Sequence, residues 1–203
     1  LARDTQTPTS PTSHPEDLQV PRAHVLWSAM VLLGSRTAQG QFALYNNATN
    51  LGGGTYRLTQ NQGSQRGAMW RLGLFDTSEN WEMHAEVRFG GNNNGADGMA
   101  FVLKMTGSGN IGGGGGLMGY GGSAAIDPSV IIEMDTYQGG GSGDPWYDHI
   151  GIQKNGSTDH TGANVLDGPV SAIPGNGNIE NNNYHDLRVT FDATTLEMVV
   201  YFN

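Results

Sequence analysis

The sequence predicts an all-β protein built as an antiparallel β-sandwich, and three observations support that prediction. First, 32 glycines interrupt short apolar runs without a collagen-like period, a pattern typical of turns between strands. Second, the segment WEMHAEVRF at 81–89 alternates strictly between apolar and polar residues, as expected for a strand with one buried face. Third, two apolar runs flank the turn sequence DATT at 192–195, which predicts a hairpin near the end of the chain.

Length and composition limit the possible architectures and partners. The 203 residues, 36% of them hydrophobic, are enough for one domain with a single core. A formal net charge of -9 with only 10 Lys and Arg argues against a nucleic acid or an anionic membrane as partner, because the chain has no basic surface to replace counterions. This charge suits a protein that binds cations.

The chain contains no cysteine, which excludes disulfide bonds and thiol chemistry. Bound metal is then the expected cross-link for the long loops. For a secreted protein, the lack of disulfides favours a bacterial source over an animal one.

Composition divides the chain into three parts. Residues 1–21 are rich in Pro, Thr and Ser and lack apolar periodicity, which predicts a disordered or non-native tail. Residues 22–40 place Arg22 and His24 before a short apolar run and a small-residue stretch, the layout of a secretory signal peptide, too short to span a bilayer. An amphipathic helix is the alternative for this segment, although no other helical element is predicted for it to pack on. Residues 41–203 form the predicted β domain.

Within the domain, strands are expected wherever a short run of apolar or alternating residues lies between turn signals. Loops are expected at the polar and Gly-rich tracts between these runs, and the Gly-rich tract at 107–122 lacks the Lys-Ser/Thr of a phosphate-binding loop. The predicted strands lie at 54–59, 68–75, 81–89, 96–105, 130–137, 149–152, 185–191 and 196–202.

The segment 129–152 gathers metal-ligand side chains between two of these strands. Glu133 and Asp135 are two residues apart in an extended strand, so their side chains share a face at a spacing of roughly 6 to 7 Å. A flexible QGGGSG run then brings Asp144, Asp148 and His149 back toward them. Oxygen ligands suit Ca²⁺, and an added imidazole suits a transition metal such as Mn²⁺. An acidic surface loop with an Asp-Pro turn is the alternative, but a carboxylate pair inside an apolar strand favours bound ions.

These residues carry a resemblance to a known family. Glu133-Met-Asp135-Thr-Tyr137, Asp144-Pro145 and His149-Ile-Gly-Ile together resemble the metal-binding segment of the legume-type (L-type) lectins, in particular the bacterial secreted members. The resemblance implies a jelly-roll, concanavalin-like β-sandwich that holds Mn²⁺ or another transition metal beside Ca²⁺. It implies that Glu133 and His149 bind the transition metal, that Asp135 and Asp144 bridge both ions, and that the carbonyl of Tyr137 binds Ca²⁺.

The same resemblance implies sugar-binding residues. Ala96-Asp97-Gly98 matches the family motif in which the Asp accepts hydrogen bonds from sugar hydroxyls and the Ala-Asp peptide is cis. Gly116 matches the position whose amide donates to the sugar. Tyr120, Trp146 and Tyr147 are candidates to stack on the sugar ring, although packing in the core or on the surface is the expected role of each one taken singly.

The sequence departs from the family pattern at two places, and it ends before the position where the family's last strands would lie. Gly139 stands where the family has an Asn that serves both Ca²⁺ and the sugar, and the gap from Asp144 to His149 is shorter than in the plant lectins, with Asp148 expected to compensate. The family also has further strands beyond the position of Asn203, so we expect the sequence to end within the sandwich.

Three functions follow as hypotheses. The first is a non-catalytic lectin domain that binds glycans or polysaccharides, secreted or displayed at the cell surface, without membrane insertion. The second is an adhesion or structural module that keeps the metals but has lost sugar binding, which Gly139 favours. The third is a jelly-roll glycoside hydrolase, which the residues after Asp135 oppose because they lack a second catalytic Glu. His84, Asp159, His160, His185 and Asp186 are interpreted as ordinary polar residues.

Overall fold

A computed structural model describes residues 23–24, 42–74, 76–105, 110–139 and 143–203 of the chain. The tail predicted at 1–21 lies outside the described residues, as does all of the predicted signal segment at 22–40 except Ala23 and His24. Those two residues pair with the last strand of the domain.

The described residues form twelve strands, all paired in antiparallel fashion. In chain order they are β1 (Ala23–His24), β2 (Phe42–Asn46), β3 (Thr49–Gly52), β4 (Thr55–Arg57), β5 (Gly67–Arg71), β6 (Trp81–Val87), β7 (Gly98–Lys104), β8 (Ser129–Asp135), β9 (His149–Lys154), β10 (Val165–Ser171), β11 (His185–Asp192) and β12 (Glu197–Phe202).

The strands form two four-stranded sheets and two two-stranded sheets. One sheet has the order β1-β12-β11-β6 and the other the order β10-β9-β8-β7, while β2 pairs with β5 and β3 with β4. Two three-residue 3-10 turns, Gly115–Leu117 and Gly122–Ala124, are the helical segments of the described residues, and neither has the length of a membrane-spanning helix.

The core lies between the two four-stranded sheets. Alternate residues of β8 and β9, such as Ile132 and Ile150, meet alternate residues of β11 and β12, such as Val189 and Val200. Each of these four side chains is at most 1% exposed. Two antiparallel sheets that face each other across one apolar layer are a β-sandwich, which confirms the predicted fold class.

Strand β8 is buried on both faces, and its two faces differ in chemistry. Val130, Ile132 and Met134 point into the sandwich core, whereas Ile131 packs in a second cluster around Tyr120 on the opposite side. Glu133 and Asp135 have the parity of Ile131, so their carboxylates lie on this second side. The predicted common face of the two carboxylates is therefore a buried one.

Most predicted strands are present, with shorter ends. The segments expected at 54–59 and 68–75 are strands only over Thr55–Arg57 and Gly67–Arg71. Strand β10 lies in a segment for which no strand is predicted. Its pairing with β9 shifts register twice, around a Gly168-Pro169 step, so its residues do not alternate in the way that identifies a strand from sequence.

The double-sided burial of β8 gives a stability prediction. Ile132→Ala removes a side chain that is 1% exposed at the centre of the core and should lower the free energy of unfolding by about 2 to 5 kcal/mol, because the cavity it leaves cannot fully collapse. Glu86→Ala, at an exposed position of β6, is the matched control and should change stability by less than about 0.5 kcal/mol. Urea denaturation of the two variants measures both values, and equal midpoints would contradict the position of Ile132 in the core.

Candidate functional site

The candidate site lies where β8 and β9 run side by side. Asp135 pairs with His149 across the two strands, and Glu133 pairs with Gly151. Side chains at paired positions point to the same face of a sheet, so the His149 ring and both carboxylates lie together. Because Gly151 has no side chain, the Glu133 carboxylate lies close over this position, where a Cβ would meet Oε1 at 3.6 Å.

A fourth residue, His160, joins this group from the loop between β9 and β10. Each of Glu133, Asp135, His149 and His160 has a ligand atom within 4.8 Å of those of the other three. The sequence alone predicts an ordinary loop residue at His160, because its position gives no indication that the loop folds back over β9. Nε2 of His160 lies 3.2 Å from Oε1 of Glu133 and 3.3 Å from Nε2 of His149.

Asp144 closes the group on the side of the loop before β9. Its Oδ1 lies 3.8 Å from Nε2 of His149. That oxygen is buried and has no hydrogen-bond partner among the described residues, while Oδ2 accepts a hydrogen bond from the amide of Gly139. A buried carboxylate oxygen without a donor is costly unless a cation lies beside it.

Asp148 is not part of this group, contrary to the expectation that it would compensate for the short loop. Its Oδ2 accepts a hydrogen bond of 2.8 Å from the amide of Ile179, and its own carbonyl accepts one from Ala172. The Asp148 side chain therefore ties the loop before β9 to the segment that leads into β11.

The protonation states of the group follow from its burial. Burial raises the pKa of Asp135 to about 7, and the neighbouring carboxylates of Glu133 and Asp144 act in the same direction. Burial opposes the charged form of His149, but Glu133, Asp135 and the Tyr147 carbonyl together raise its pKa. Without a cation, the group therefore holds protons that a solvated carboxylate would release.

Tyr120 connects the Gly-rich segment to the group. Its side chain is 1% exposed, and its hydroxyl donates a hydrogen bond to Oε2 of Glu133. Tyr120 therefore packs in the core and is not available to stack on a sugar, because its ring is enclosed. Burial beside Glu133 raises the pKa of Tyr120, so the hydroxyl remains a donor.

Gly116, the expected amide donor, lies in the exposed 3-10 turn that precedes Tyr120. A Cβ built at Gly116 would meet no atom within 4 Å, so space is open around it. The amide of Tyr120 donates to the carbonyl of Leu117, which fixes this exposed turn relative to the buried Tyr120 ring.

Asp97 lies at the same end of the sheet as Asp135. The Ala96-Asp97 peptide is cis, as the resemblance implies, and the carbonyl of Asp97 accepts a hydrogen bond of 3.0 Å from the amide of Thr136. The next residue must be glycine, because a Cβ at Gly98 would lie 2.2 Å from the carbonyl oxygen of Met134. The Asp97 side chain is half-buried, and burial raises its pKa.

Of the other two candidate aromatic residues, Trp146 is exposed and Tyr147 is half-buried. Trp146 is 71% exposed and packs edge-on against Tyr147, with ring centroids 5.5 Å apart. Tyr147 in turn packs edge-on against His149. Tyr137, the expected carbonyl ligand of Ca²⁺, has a side chain that is 51% exposed, and its amide donates to Oδ1 of Asp135.

Two comparisons with known proteins agree with this architecture. A family model described as the legume lectin β-barrel domain matches residues 34–203. A crystal structure of basic winged bean lectin with Tn-antigen superposes with a TM-score of 0.51 at 17% sequence identity, over 80% of this chain and 81% of that chain. At this identity the second likeness shows the fold alone, and that fold is the legume lectin jelly roll.

A second buried carboxyl group, Glu180, gives a pH prediction. It is 5% exposed, its Oε2 has no hydrogen-bond partner among the described residues, and burial together with Asp148 raises its pKa to about 7. A carboxyl whose pKa is higher in the folded than in the unfolded state stabilises the fold at low pH. That contribution is complete below the unfolded pKa and is lost as pH rises through about 7.

Glu180→Gln should therefore reduce the loss of stability between pH 5 and pH 8 that the unaltered protein shows, since glutamine stays neutral throughout. Denaturation midpoints at a series of pH values measure the slope, with Glu86→Gln on the exposed face of β6 as the control. A slope identical to that of the unaltered protein would contradict the buried, proton-holding state of Glu180.

Proposed function

The chain belongs to the legume lectin β-barrel domain family, and from that premise we propose that it is a metal-dependent, non-catalytic lectin domain that binds glycans or polysaccharides. The observation that carries the proposal is the link between Asp97 and the buried group. The hydrogen bond from Thr136 to Asp97 attaches the expected sugar acceptor to the residue directly after Asp135. Whatever fixes the end of β8 then also fixes Asp97.

The donor set fits the two ions that the family implies. Glu133 and His149 are a carboxylate and an imidazole suited to a transition metal, and Asp135 and Asp144 would share their oxygens with a neighbouring Ca²⁺. The unpartnered Oδ1 of Asp144 supports this assignment, because it is the atom that a cation would satisfy. The carbonyl of Tyr137 would complete the Ca²⁺ ligands from this segment. Bound ions would supply positive charge that holds the segments 136–139 and 143–148 in one position relative to β8 and β9.

Sugar recognition would then use groups around that loop. Asp97 would accept hydrogen bonds from sugar hydroxyls, and the amide of Gly116 would donate one from its exposed turn. Trp146, with 71% of its side chain exposed, offers an apolar ring face on which a sugar can stack. A glycan is the ligand class that combines many hydroxyls with apolar C–H faces, as these groups require.

Two alternative functions are compatible with the same fold. A module without sugar binding is favoured by Gly139, because the missing side chain removes one expected contact to both Ca²⁺ and sugar. A glycoside hydrolase is disfavoured because its two carboxylates must flank the scissile bond, whereas Glu133 and Asp135 are 1% and 6% exposed. A location outside the cell, secreted or at the cell surface, is part of the proposal and rests on the composition of residues 22–40.

Binding to a glycan array with and without a chelator tests the lectin proposal. The protein should bind in the presence of Ca²⁺ and a transition metal, and the chelator should abolish binding because the loop and Asp97 lose their common support. Asp97→Asn should weaken binding by about 10- to 100-fold, the effect of losing hydrogen bonds to a charged acceptor.

Asp186→Asn is the matched control, because Asp186 is an exposed carboxylate on β11, in the other sheet. It should leave glycan binding unchanged. Ion binding without any glycan binding would favour the adhesion module, and release of reducing sugar from a polysaccharide would favour the hydrolase.

A further inference from the structure

His160 lies beside Glu133 and His149, the two proposed transition-metal ligands, although it is not part of the sequence motif that resembles the lectin family. Its Nε2 lies 3.2 Å from Oε1 of Glu133 and 3.3 Å from Nε2 of His149, and the latter two atoms are 3.7 Å apart. Donor atoms around one four-coordinate Zn²⁺ are about 3.4 Å apart, since each metal bond is about 2.1 Å long. The three atoms thus already form one face of a coordination shell.

Both imidazoles have a partner on the ring nitrogen that faces away from the group. Nδ1 of His149 lies 3.1 Å from the carbonyl oxygen of Tyr147, so it carries a hydrogen and donates it. In a neutral ring this leaves a lone pair on Nε2, which faces Glu133 and Asp144. A backbone carbonyl on the outer nitrogen is the usual support for a histidine that binds metal through the other nitrogen.

Gln153 provides the corresponding support for His160. When its amide nitrogen donates to the carbonyls of Ser157 and Asp159, at 2.9 and 3.1 Å, its oxygen lies 3.3 Å from Nδ1 of His160. In the reverse orientation the Gln153 oxygen would face those two carbonyl oxygens at 2.9 and 3.1 Å, a contact between acceptors that is closer than the 3.4 Å contacts to Glu133, so the first orientation is favoured. His160 then donates from Nδ1 and also presents a lone pair at Nε2.

The loop that carries His160 forms a hydrogen-bonded turn and packs against Gly143. Oδ1 of Asp159 accepts hydrogen bonds from both the amide and the hydroxyl of Thr161, each 2.8 Å long. Gly143 lies directly against this turn, since a Cβ there would meet the methyl group of Thr161 at 2.4 Å. The side chain of His160 is 3% exposed, so it is enclosed within the group.

We propose that His160 binds the transition-metal ion directly, so that this site has two imidazole ligands and favours Zn²⁺ over Mn²⁺ more strongly than a one-imidazole site would. This inference rests on the proposed metal-dependent function. Imidazole suits Zn²⁺, whereas Mn²⁺ is served well by carboxylates and water. The second imidazole therefore raises the affinity for Zn²⁺ more than the affinity for Mn²⁺.

X-ray absorption of the Zn²⁺-loaded protein counts imidazole ligands directly and does not depend on a variant. Two imidazoles are expected in the unaltered protein and one in His160→Ala. One imidazole in the unaltered protein would overturn the proposal. Circular dichroism of His160→Ala shows whether the variant keeps the β-sandwich.

Competitive titration of the metal-stripped protein gives the second readout. His160→Ala should weaken Zn²⁺ binding by more than about 100-fold, beyond the 10- to 100-fold effect of a residue that only supports a ligand. The ratio of Zn²⁺ to Mn²⁺ affinity should fall with it. His84→Ala, an exposed imidazole on β6 of the other sheet, should leave both affinities unchanged.

The outcomes separate this inference from the proposed function. Zn²⁺ binding that His160→Ala leaves intact overturns the role of His160 but not the lectin proposal. Zn²⁺ binding that depends on His160, without glycan binding, supports the inference while the lectin proposal fails. No transition-metal binding by the unaltered protein overturns both.

Discussion

The structure depends on how the negative charge of three carboxylates, which lie beside two imidazoles in a space almost closed to water, is balanced. Glu133, Asp135 and Asp144 approach one another where β8, β9 and two loops meet, and His149 and His160 fill the remaining sides. Like charges in a buried space repel and lose hydration, so the group must hold protons or bind cations. The raised pKa of Asp135 corresponds to the protonated state without a cation. The unpartnered oxygen of Asp144 is the atom that a bound cation would satisfy.

Strand β8 transmits that local balance to the whole domain. The side chains of its even-numbered residues pack in the sandwich core, while its odd-numbered residues, which include Glu133 and Asp135, point to the opposite face. Both groups proposed to bind a sugar are connected to this strand. Asp97 is hydrogen-bonded to Thr136, directly after β8, and the Gly-rich turn is connected through Tyr120, whose hydroxyl donates to Glu133. Ion binding and ligand binding are therefore expected to be coupled, because they share one strand.

Much of this architecture is predictable from the sequence, and the exceptions have physical reasons. The alternation at 81–89 identifies β6, and the spacing of Glu133 and Asp135 places both carboxylates on one face of a strand. Strand β10 is not predictable in this way because register shifts disrupt its alternation. The direction in which Asp148 turns, the burial of Tyr120 and the position of His160 depend on how loops fold back over the sheet. Residue type and spacing do not encode those paths, so only the folded chain shows that His160 completes the group.

The most direct measurement of the central claim is the unfolding midpoint of the metal-stripped protein compared with the same protein in Ca²⁺ plus a transition-metal ion. Ligands that bind only the folded state at 100 times their dissociation constant add about 2.7 kcal/mol of stability. A clear rise in the midpoint at pH 7 to 8, lost when Glu133→Gln and Asp135→Asn are combined, is the predicted result. An unchanged midpoint at saturating concentrations of both ions would contradict the claim that cations balance this buried group.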